Sequence, residues 1–395
     1  MARILSICSR TPYPLTGGAK LRLFNTARLL AEEHTVDLLI VDEAPIEPSR
    51  LQALEEVFNS VQLFAYPKYR FYLNTLPGIA SRRPVQTFYY SFGAVKRWMD
   101  RNVNKYDLLY CNHIRTTEYA RPYNMPKVVD FVDAISRNYE KSGKDAEGLW
   151  RAIYPVEAER VLHYERTIAR EFDHSFVITD VDQSYIEGND DYSSLTVLPN
   201  GVSDEIIKRG PAEPPNPDEP PQLVFLGKMD YFPNVTAATF FVESVFPRVR
   251  DEFPDVTFAI VGTSPTDDVR KLTENPGVEV TGFVDDPLNF LETADVVVAP
   301  MQHGAGLQNK VIEAMGLGKP VVTTPLGQEG IDASDGDHLC VGETPTELTT
   351  AVIDLLNNNA ERQRIGDHAR DRIEARYTWA DVHSLLLDDV NRLLE

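Results

Sequence analysis

The feature that most constrains the fold is a repeated alternation of short apolar runs with longer amphipathic segments. In the first half of the chain the apolar runs include ARILSIC (2–8), TVDLLIV (35–41) and YDLLYC (106–111). Their β-branched, almost continuously apolar character is typical of strands that are buried on both faces. Helical patterns such as residues 19–32 separate most of these runs. Strands that alternate with helices predict an α/β fold with a parallel sheet between two layers of helices.

A proline-rich segment interrupts this alternation. Residues 211–221 read PAEPPNPDEPP, with six prolines and three acids, and proline continues neither a helix nor a central strand. The alternation restarts at QLVFLG (222–227) and gives way to helices after about residue 345. An extended linker between two doubly wound, Rossmann-like domains explains this pattern, although a long surface loop is the alternative. The predicted segments are a first domain over 1–203, a linker over 204–221, a second domain over 222–377, and a last helix over 378–395 that packs back on the first domain.

Composition excludes several other classes of protein. The 395 residues hold 43% hydrophobic and 25% charged side chains, a balance typical of globular chains. Three cysteines without a CxxC pair argue against a disulfide framework or a zinc site. No apolar run reaches the roughly 18–20 residues that a membrane span needs. We therefore expect a cytoplasmic protein, with the inner face of the membrane as a candidate location.

The charge of the chain is strongly acidic. Sixty acids against 39 bases give a net charge of −21, which disfavours general binding to nucleic acid and broad docking on an anionic membrane. A local basic patch remains compatible with peripheral membrane contact, and a helix with Lys96, Arg97 and Arg101 is a weak candidate. The bases are 27 arginines and only 12 lysines. An acid-rich, lysine-poor chain suggests a halophilic protein, because concentrated salt screens its self-repulsion.

Glycines and polar residues that directly follow strands are the site candidates, because ligands of doubly wound sheets bind beyond the carboxyl ends of the strands. Gly17 and Gly18 precede an amphipathic helix whose N-terminus favours anionic groups, although a flexible loop would have the same residues. His113 follows YDLLYC, where it either hydrogen-bonds hydroxyl groups of a ligand or has a structural role. Arg115 nearby is a candidate contact for an acceptor or a phosphate.

The densest group of such residues is the segment APMQHGAGLQNKVIEAMGLGKPVVTT, residues 299–324. Gly304 and Gly306 lie in a loop that, with the helix start, can cradle phosphate oxygens through backbone N–H groups. Lys310 and Glu313 are one helical turn apart and can share a face. A cation for a diphosphate beside a carboxylate for two ribose hydroxyls would suit a nucleotide sugar, while an ordinary surface ion pair is the alternative.

Lys228 is a second candidate cation for a diphosphate. It follows Gly227 at the carboxyl end of the first strand of the second half, and a lysine there can neutralise phosphate charge. A solvated surface lysine is the alternative interpretation.

These motifs resemble those of GT-B glycosyltransferases, in particular glycosyltransferase family 4 (group 1). The run KVIEAMGLGKPVVTT is similar to the family's nucleotide-site signature, and FAIVG, VEVTGFVDD, ADVVVAP and LPNGV occur in the family's order. PNVTAATFF, with the ER and FD of VLHYERTIAREFDHSFVIT, looks like a subgroup of sugar transferases associated with exopolysaccharide loci. The resemblance implies the GT-B fold, with two Rossmann-like domains that face a central cleft.

The resemblance also implies roles for individual residues. Glu313 would bind the ribose, and Lys228 and Lys310 would hold the diphosphate. The implied catalytic residues are Asp133, His113 and Lys228. The implied donor-binding residues are Gly17, Gly18, Gly227, Lys228, Gly282, Phe283, Val284, Gly304, Ala305, Gly306, Leu307, Gln308, Asn309, Lys310 and Glu313, with 282–284 flanking the base. The family's pattern implies no metal and no cofactor, since the nucleotide sugar is a co-substrate.

One departure from the family pattern concerns the donor sugar. Many members carry a glutamate eight positions before the residue that matches Glu313, and Ala305 stands there in this chain. Backbone N–H groups of residues 304–307, with Gln308, are expected to replace that contact. The preferred sugar therefore does not follow from the resemblance.

A second departure lies after the strand that begins at Lys127. Many members place a histidine and an aspartate there, and this chain reads KVVDFVD, with Val132 at the histidine position and Asp133 at the aspartate position. Asp130 and Asp133 are the polar groups that remain. Asp133 matches the functional aspartate of similar members, whereas Asp130 has a strand-end cap as its alternative.

The implied activity is transfer of a hexose from a nucleotide-diphosphate donor to a saccharide or lipid-linked glycan, in cell-surface polysaccharide assembly or protein glycosylation. Family members of this kind retain the anomeric configuration and need no metal. A GT-B sugar-nucleotide epimerase, a phosphorylase and an inactive nucleotide-sugar-binding relative remain as alternatives. The sequence makes no prediction of the oligomeric state.

Overall fold

The structure is a computed structural model that describes residues 1–15, 17–144, 146–148, 150–190, 192–212, 219–304 and 306–395. Its chain divides into two compact units, the first made of residues 1–199 with 383–395 and the second of residues 200–382. Each unit contains a parallel sheet with helices, so the predicted fold class is confirmed.

The first unit is organised around a parallel sheet that has seven strands within the described residues, in the order β3-β2-β1-β4-β5-β6-β7. The strands are β1 Arg3–Cys8, β2 Thr35–Asp42, β3 Ser60–Ala65, β4 Leu108–Asn112, β5 Lys127–Val132, β6 His174–Val177 and β7 Leu195–Val197. The main helices are Gly18–Glu33, Pro48–Glu55, Lys68–Asn74, Leu76–Ile79, Val85–Tyr89, Gly93–Asn102, Thr117–Ala120, Ile135–Lys144, Trp150–Glu171 and Asp180–Glu187. Residues of the central strands, such as Leu5 and Leu109, are completely buried, as their continuous apolar runs predict.

The second unit repeats this plan with six strands among the described residues, in the order β10-β9-β8-β11-β12-β13. The strands are β8 Gln222–Leu226, β9 Thr257–Val261, β10 Val278–Gly282, β11 Val296–Ala299, β12 Val321–Thr323 and β13 Cys340–Val341. The main helices are Asp204–Arg209, Phe232–Phe240, Phe246–Glu252, Asp267–Lys271, Leu288–Thr293, Asn309–Gly316, Pro325–Gln328, Pro345–Asn357 and Asn359–Arg376. A π-helical turn, Phe241–Val245, joins the second and third of these helices.

Both sheets change direction at one point in their strand order. The chain moves outward from β1 to β3 and then returns to place β4 beside β1, and the second sheet does the same with β8 and β11. Loops that leave the carboxyl ends of two such neighbouring strands diverge and open a crevice between them. The topology therefore places one candidate site beyond β1 and β4 and another beyond β8 and β11.

The segment predicted as a linker needs a correction. Residues 204–209 are a helix, and its N-terminal residue is preceded by Ser203, whose hydroxyl accepts a hydrogen bond from the Ile206 N–H. Acids occupy the first turn and bases the last turn, a charge distribution that favours a helix. Residues 213–218 of the predicted linker lie outside the described residues.

The last helix, Trp379–Leu394, provides residues to the first unit. Residues 383–395 belong to that unit, where the Asp389 carboxylate lies 3.1 Å from the imidazole of His174 and Asn391 donates to Glu33. None of the described helices is both long enough and apolar enough to cross a bilayer.

Candidate active site

Lys310 and Asn234 connect the two helices that follow β11 and β8 at the crevice of the second unit. Lys310 Nζ donates to Asn234 Oδ1 at 2.5 Å, and Asn234 Nδ2 donates to the Lys228 carbonyl oxygen at 3.0 Å. The ammonium also lies 4.9 Å from the centroid of the Phe225 ring, a favourable cation–π distance. Asn234 therefore holds a cation at the carboxyl end of β8, and sequence reasoning missed this residue within the PNVTAATFF run.

Glu313 lies one turn after Lys310 on the helix Asn309–Gly316. Its carboxylate, partly exposed, makes no hydrogen bond or ion pair with any described residue, so both oxygens can accept ligand hydrogen bonds. Burial raises the pKa of Glu313 to about 7 and lowers the pKa of Lys310 to about 7, while each charge opposes the shift of the other. The two groups are thus close enough to interact, and neither behaves as a solvated surface charge.

The second predicted diphosphate cation is in a different environment. The Lys228 side chain is 59% exposed, and its Nζ lies 3.1 Å from Asp230 Oδ2. A surface pair of this kind contributes little to stability and exchanges readily with another anion. Of the two predicted cations, Lys310 is therefore held in place by a hydrogen bond to Asn234, whereas Lys228 is exposed.

The glycines of this unit allow close approach of backbone segments. Gly262 has φ +150°, and a Cβ at this position would lie 1.7 Å from the Gly227 carbonyl oxygen. A Cβ at Gly227 would lie 2.6 Å from Asn234 Nδ2. Side chains at either position would separate the ends of β8 and β9 and displace the asparagine that holds Lys310.

The loop between β11 and the helix Asn309–Gly316 carries most of the remaining donor candidates. Gly304 and Gly306 have φ +114° and +73°, values that strongly favour glycine. Leu307 is buried, Gln308 precedes the first helical residue without a side-chain cap bond, and Asn309 accepts a hydrogen bond from Asn200. Ala305, the position of the missing glutamate, lies outside the described residues. The helix start thus leaves its first N–H groups available to an anion.

The base-flanking candidates follow β10. Gly282 has φ +71° with no heavy atom within 4 Å of the position of a Cβ. Phe283 is 72% exposed and Val284 is partly exposed. An exposed aromatic ring beside open backbone is a suitable surface for stacking of a planar base.

In the first unit, a cavity of about 70 Å³ lies at the point where the strand order changes direction. Its polar lining includes Ser9, Arg10, Asn112, His113, Asp130 and Asp133. Asp133 has no hydrogen-bond partner among the described residues. Burial raises the pKa of Asp133 to about 7, and the Asp182 carboxylate adds to the rise. A carboxyl group that exchanges its proton near neutral pH is a suitable partner for a hydroxyl group of a ligand.

His113 is held as a neutral imidazole beside this cavity. Burial lowers its pKa well below the usual value, and the charges of Arg115 and Arg10 lower it further. Its Nδ1 atom is buried without a partner in the described chain, and its backbone has φ +72°, an uncommon conformation for a residue other than glycine. These observations favour the functional interpretation of His113, because such strain is retained mainly at functional sites.

Asp130 has a structural role. Its Oδ2 accepts from Arg22 Nε at 2.7 Å, and both side chains are buried, with exposures of 1% and 0%. Its Oδ1 accepts from the backbone N–H of Val132 at 3.0 Å, which supports the strand-end cap. Val132 itself has φ +71° at an irregularity in the pairing of β5 with β6, a strained conformation for a β-branched residue.

A buried carboxylate orders the segment that follows Asp133. Glu165 accepts hydrogen bonds from the backbone N–H groups of Ile135 and Ser136 and from the Ser136 hydroxyl. It therefore caps the helix Ile135–Lys144 from a neighbouring helix. Burial raises the pKa of Glu165 to about 8. The ER dipeptide in the sequence indicated this position, although it did not reveal the capping role.

Gly17 and Gly18 lie at the start of the first helix. Gly17 has φ +87° with no heavy atom within 4 Å of the position of a Cβ, and its carbonyl accepts from the N–H groups of Lys20 and Leu21. A ligand can therefore approach this backbone closely, which keeps the donor-contact prediction open.

The first unit also contains a larger cavity of about 940 Å³. Aromatic and aliphatic side chains dominate its lining, and Arg10 lines both this cavity and the smaller one. Tyr139 and Arg115, which was a candidate contact for an acceptor or a phosphate, are both part of the lining.

The helix Gly93–Asn102 does not have the free apolar face that insertion into a membrane requires. Val95 and Met99 are buried in the core of the first unit, and Lys96, Arg97 and Arg101 are exposed. The exposed large apolar residues of this unit lie elsewhere, mainly in residues 69–79 and 150–156. In the part of the chain that the structure describes, no group of three or more His, Cys, Asp or Glu side chains is arranged to hold a metal ion.

Sequence comparison relates the second unit to a known protein family. Residues 220–358 match the family model of the glycosyl transferases group 1. A 44.6 kDa protein from the cps region of Klebsiella pneumoniae is 21% identical over 410 residues, which cover 98% of this chain and 100% of that protein. The capsular polysaccharide biosynthesis glycosyltransferase CapM of Staphylococcus aureus is 28% identical over 150 residues, which cover 33% of this chain and 37% of CapM.

Solved structures match the chain over its full length at low sequence identity. Sucrose-phosphate synthase from Thermosynechococcus elongatus has a TM-score of 0.71 and 16% identity, and the match covers 99% of each chain. Anabaena HepE, solved with UDP and glucose, has a TM-score of 0.65 and 15% identity, and the match covers 99% of this chain and 100% of HepE. The chain therefore has the GT-B fold, and residues 220–358 of its second unit match the family model of the group 1 glycosyltransferases.

Proposed function

We propose that this protein moves a hexose from a nucleotide-diphosphate donor to a hydroxyl group of a saccharide or lipid-linked glycan. The observation that carries the proposal is the pair Lys310 and Glu313 at the switch point of the second sheet. A cation held by Asn234 and a carboxylate that makes no hydrogen bond with the described residues are the two groups that a diphosphate and a ribose need. HepE, a structural neighbour, was solved with UDP and glucose, which supports a nucleoside diphosphate as the leaving group.

The donor would bind in the second unit, with its base against Phe283 and its diphosphate at the start of the helix Asn309–Gly316. The first N–H groups of that helix and the Lys310 ammonium would stabilise the charge that develops on the departing diphosphate. Lys228 would leave Asp230 and contribute a second, weaker contact. No metal or enzyme nucleophile takes part in this scheme.

The acceptor would bind in the first unit, with its reacting hydroxyl at Asp133. We assign the reaction a front-face displacement that retains the anomeric configuration, in which the diphosphate takes the proton of the acceptor hydroxyl. Asp133 would accept a hydrogen bond from the acceptor and orient it, and the neutral His113 imidazole would bind a neighbouring hydroxyl. The catalytic contribution of the protein is then positioning and charge stabilisation.

The biological setting is inferred from the relatives. One is a protein of a capsule region and another makes capsular polysaccharide, so we propose a role in cell-surface polysaccharide or glycan assembly. The proposed location is the cytoplasm or the inner face of the membrane. The net charge of −21 adds the proposal that the fold is most stable in concentrated salt, which a comparison of urea unfolding in low and high salt would test.

The test is a screen of nucleoside diphosphates and nucleotide sugars by thermal shift in high salt, followed by a transfer assay with saccharide acceptors. One nucleotide class should stabilise the wild type and should stabilise Glu313→Ala much less. Glu252→Ala, at an exposed glutamate of the second unit, is the control and should bind like the wild type. Stabilisation by no nucleotide would overturn the proposal. Consumption of the donor without an acceptor would indicate an epimerase, and dependence on inorganic phosphate would indicate a phosphorylase.

A further inference from the structure

The larger cavity of the first unit has the size and chemistry of a site for an apolar chain. It has a volume of about 940 Å³, and its lining includes Tyr89, Tyr90, Tyr139, Ile153 and Tyr154. Cavities of several hundred Å³ with an aromatic lining and a few polar groups are typical ligand sites. A sugar alone would leave most of this apolar surface in water, so the lining indicates a ligand with a large apolar part.

Two arginines lie at one side of this cavity without an acidic partner among the described residues. Arg10 makes no hydrogen bond or ion pair with any described residue, and Arg115 donates to the amide oxygen of Gln86 and lies 5.7 Å from the centroid of the Tyr90 ring. The two guanidinium groups are near each other, because Arg10 helps burial to lower the pKa of Arg115. Two adjacent cations of this kind repel each other unless an anion lies between them.

The acids of the cavity are already engaged. Glu43 accepts a hydrogen bond from Tyr89 at 2.5 Å, and Glu157 accepts from the Val85 N–H and pairs with Arg160 at 2.8 Å. In a chain with 60 acids and 39 bases, two arginines that line a cavity and pair with neither of its two described glutamates are unusual. The missing charge partner is therefore expected to come from the ligand.

The rim of the cavity is unusually apolar for a protein surface. Tyr72, Ile79, Trp150 and Val156 line the cavity and are each at least 50% exposed. Contiguous exposed apolar residues mark sites that bind other apolar matter. An alkyl or isoprenoid chain that lies in the cavity and passes over this rim would cover them.

On the basis of the proposed transferase function, we propose that the acceptor is a saccharide linked to a lipid through a phosphate, with the apolar chain in the 940 Å³ cavity and the phosphate between Arg10 and Arg115. Arg10 also lines the smaller cavity that holds Asp133 and His113. The phosphate would therefore lie next to the position of the reacting hydroxyl, as in a sugar that is attached to the lipid through its phosphate. The two arginines favour a negatively charged phosphate, and the aromatic lining favours an apolar chain.

The first experiment measures the binding of farnesyl phosphate, farnesol and inorganic phosphate to the whole protein by titration of its tryptophan fluorescence. Trp150 at the rim provides the signal. Farnesyl phosphate should bind at least about tenfold more tightly than either farnesol or inorganic phosphate, because only it satisfies both the arginines and the apolar lining. Equal affinity for farnesyl phosphate and farnesol would overturn the assignment of the phosphate, and tighter binding of inorganic phosphate would overturn the assignment of the chain.

The second experiment removes the charges. Arg10→Gln and Arg115→Gln, separately and together, should bring the affinity for farnesyl phosphate down to that for farnesol. Arg270→Gln removes the same charge from an exposed position of the second unit and should change nothing. Because Arg115 is hydrogen-bonded to Gln86, circular dichroism melting checks the fold of its variant, and Arg10→Gln alone still decides the outcome. Unchanged affinity in Arg10→Gln would contradict the proposal.

Binding of a nucleoside diphosphate to the same samples separates this inference from the proposed function. Failure of farnesyl phosphate to bind, together with sugar transfer to a soluble saccharide, would overturn only the lipid-phosphate acceptor. Binding of farnesyl phosphate without any consumption of a nucleotide sugar would overturn the transferase function and leave the lipid site in place.

Discussion

Replacement of Glu313 by glutamine should make the protein more stable and its nucleotide binding weaker. The native pKa of Glu313 is raised by burial from 4.5 to about 7. The native residue therefore keeps its proton up to about pH 7, whereas the unfolded residue loses it near pH 4.5. Unfolding releases a proton between these values, so the stability of the folded protein falls as the pH rises through this window.

The size of the effect follows from the two pKa values. Each unit of difference corresponds to about 1.4 kcal/mol. Ionisation of Glu313 should therefore destabilise the fold by about 3 kcal/mol at pH 8 and by about 1 kcal/mol at pH 5. Glutamine has nearly the same shape and no charge, so Glu313→Gln should exceed the wild type in stability by similar amounts. At pH 8, where the Glu313 carboxylate is ionised, the affinity for the nucleoside diphosphate should fall about 10- to 100-fold, because hydrogen bonds to a charged acceptor contribute about 1.5–3 kcal/mol.

The assay is urea unfolding at pH 5 and pH 8 in constant salt, combined with calorimetric titration of the nucleotide. Glu252→Gln, at an exposed position, is the matched control and should change neither stability nor affinity. A stability gain that is equal at the two pH values would refute the buried-carboxylate explanation. Wild-type affinity in Glu313→Gln would refute the ribose contact.

Three further predictions concern other charged residues. Lys310→Met should weaken nucleotide binding at least about tenfold in calorimetry, whereas Lys228→Met should weaken it much less, since Lys228 is exposed and paired with Asp230. Asp133→Asn should lower kcat at least about tenfold with unchanged nucleotide affinity. The same variant should be more stable than the wild type at pH 8, because burial raises the pKa of Asp133 to about 7 and ionisation of the native residue destabilises the fold. A variant that is less stable than the wild type would show that Asp133 has a structural role. Arg22→Met should cost about 3–5 kcal/mol in urea unfolding, because it removes the positive charge that pairs with the buried Asp130 carboxylate, and Asp130→Asn in the same chain should recover part of the loss.

Local pattern was sufficient to predict the two sheets. Strands buried on both faces produce apolar runs such as VDLLIV, and helices between them produce amphipathic segments. The helix Asp204–Arg209 was missed because the prolines that follow it dominated the interpretation, although Ser203 and the charge distribution were visible signals. The candidate donor residues 304–313 could be proposed from the sequence because they are contiguous in the chain.

The acceptor side was less accessible because it depends on contacts between distant residues. The pairing of Arg22 with Asp130 spans 108 positions, and its only local signal is an arginine on the apolar face of a helix. The positive φ angles of His113 and Val132 could not be predicted from the sequence, because residues other than glycine rarely adopt this conformation. The 940 Å³ cavity is lined by residues that range from position 10 to position 160. No short sequence motif indicates its presence.

The central claim is that this protein forms a glycosidic bond from a nucleotide sugar. The most direct measurement is mass spectrometry of an acceptor mixture, containing saccharides and farnesyl-phosphate-linked saccharides, after incubation with each nucleotide sugar in high salt. We expect an acceptor to gain one sugar residue with donors of one nucleotide class. The Glu313→Gln variant should form little of this product, whereas Glu252→Gln should form as much as the wild type. Release of the nucleoside diphosphate without any glycosylated acceptor, or equal product from Glu313→Gln and the wild type, would contradict the account.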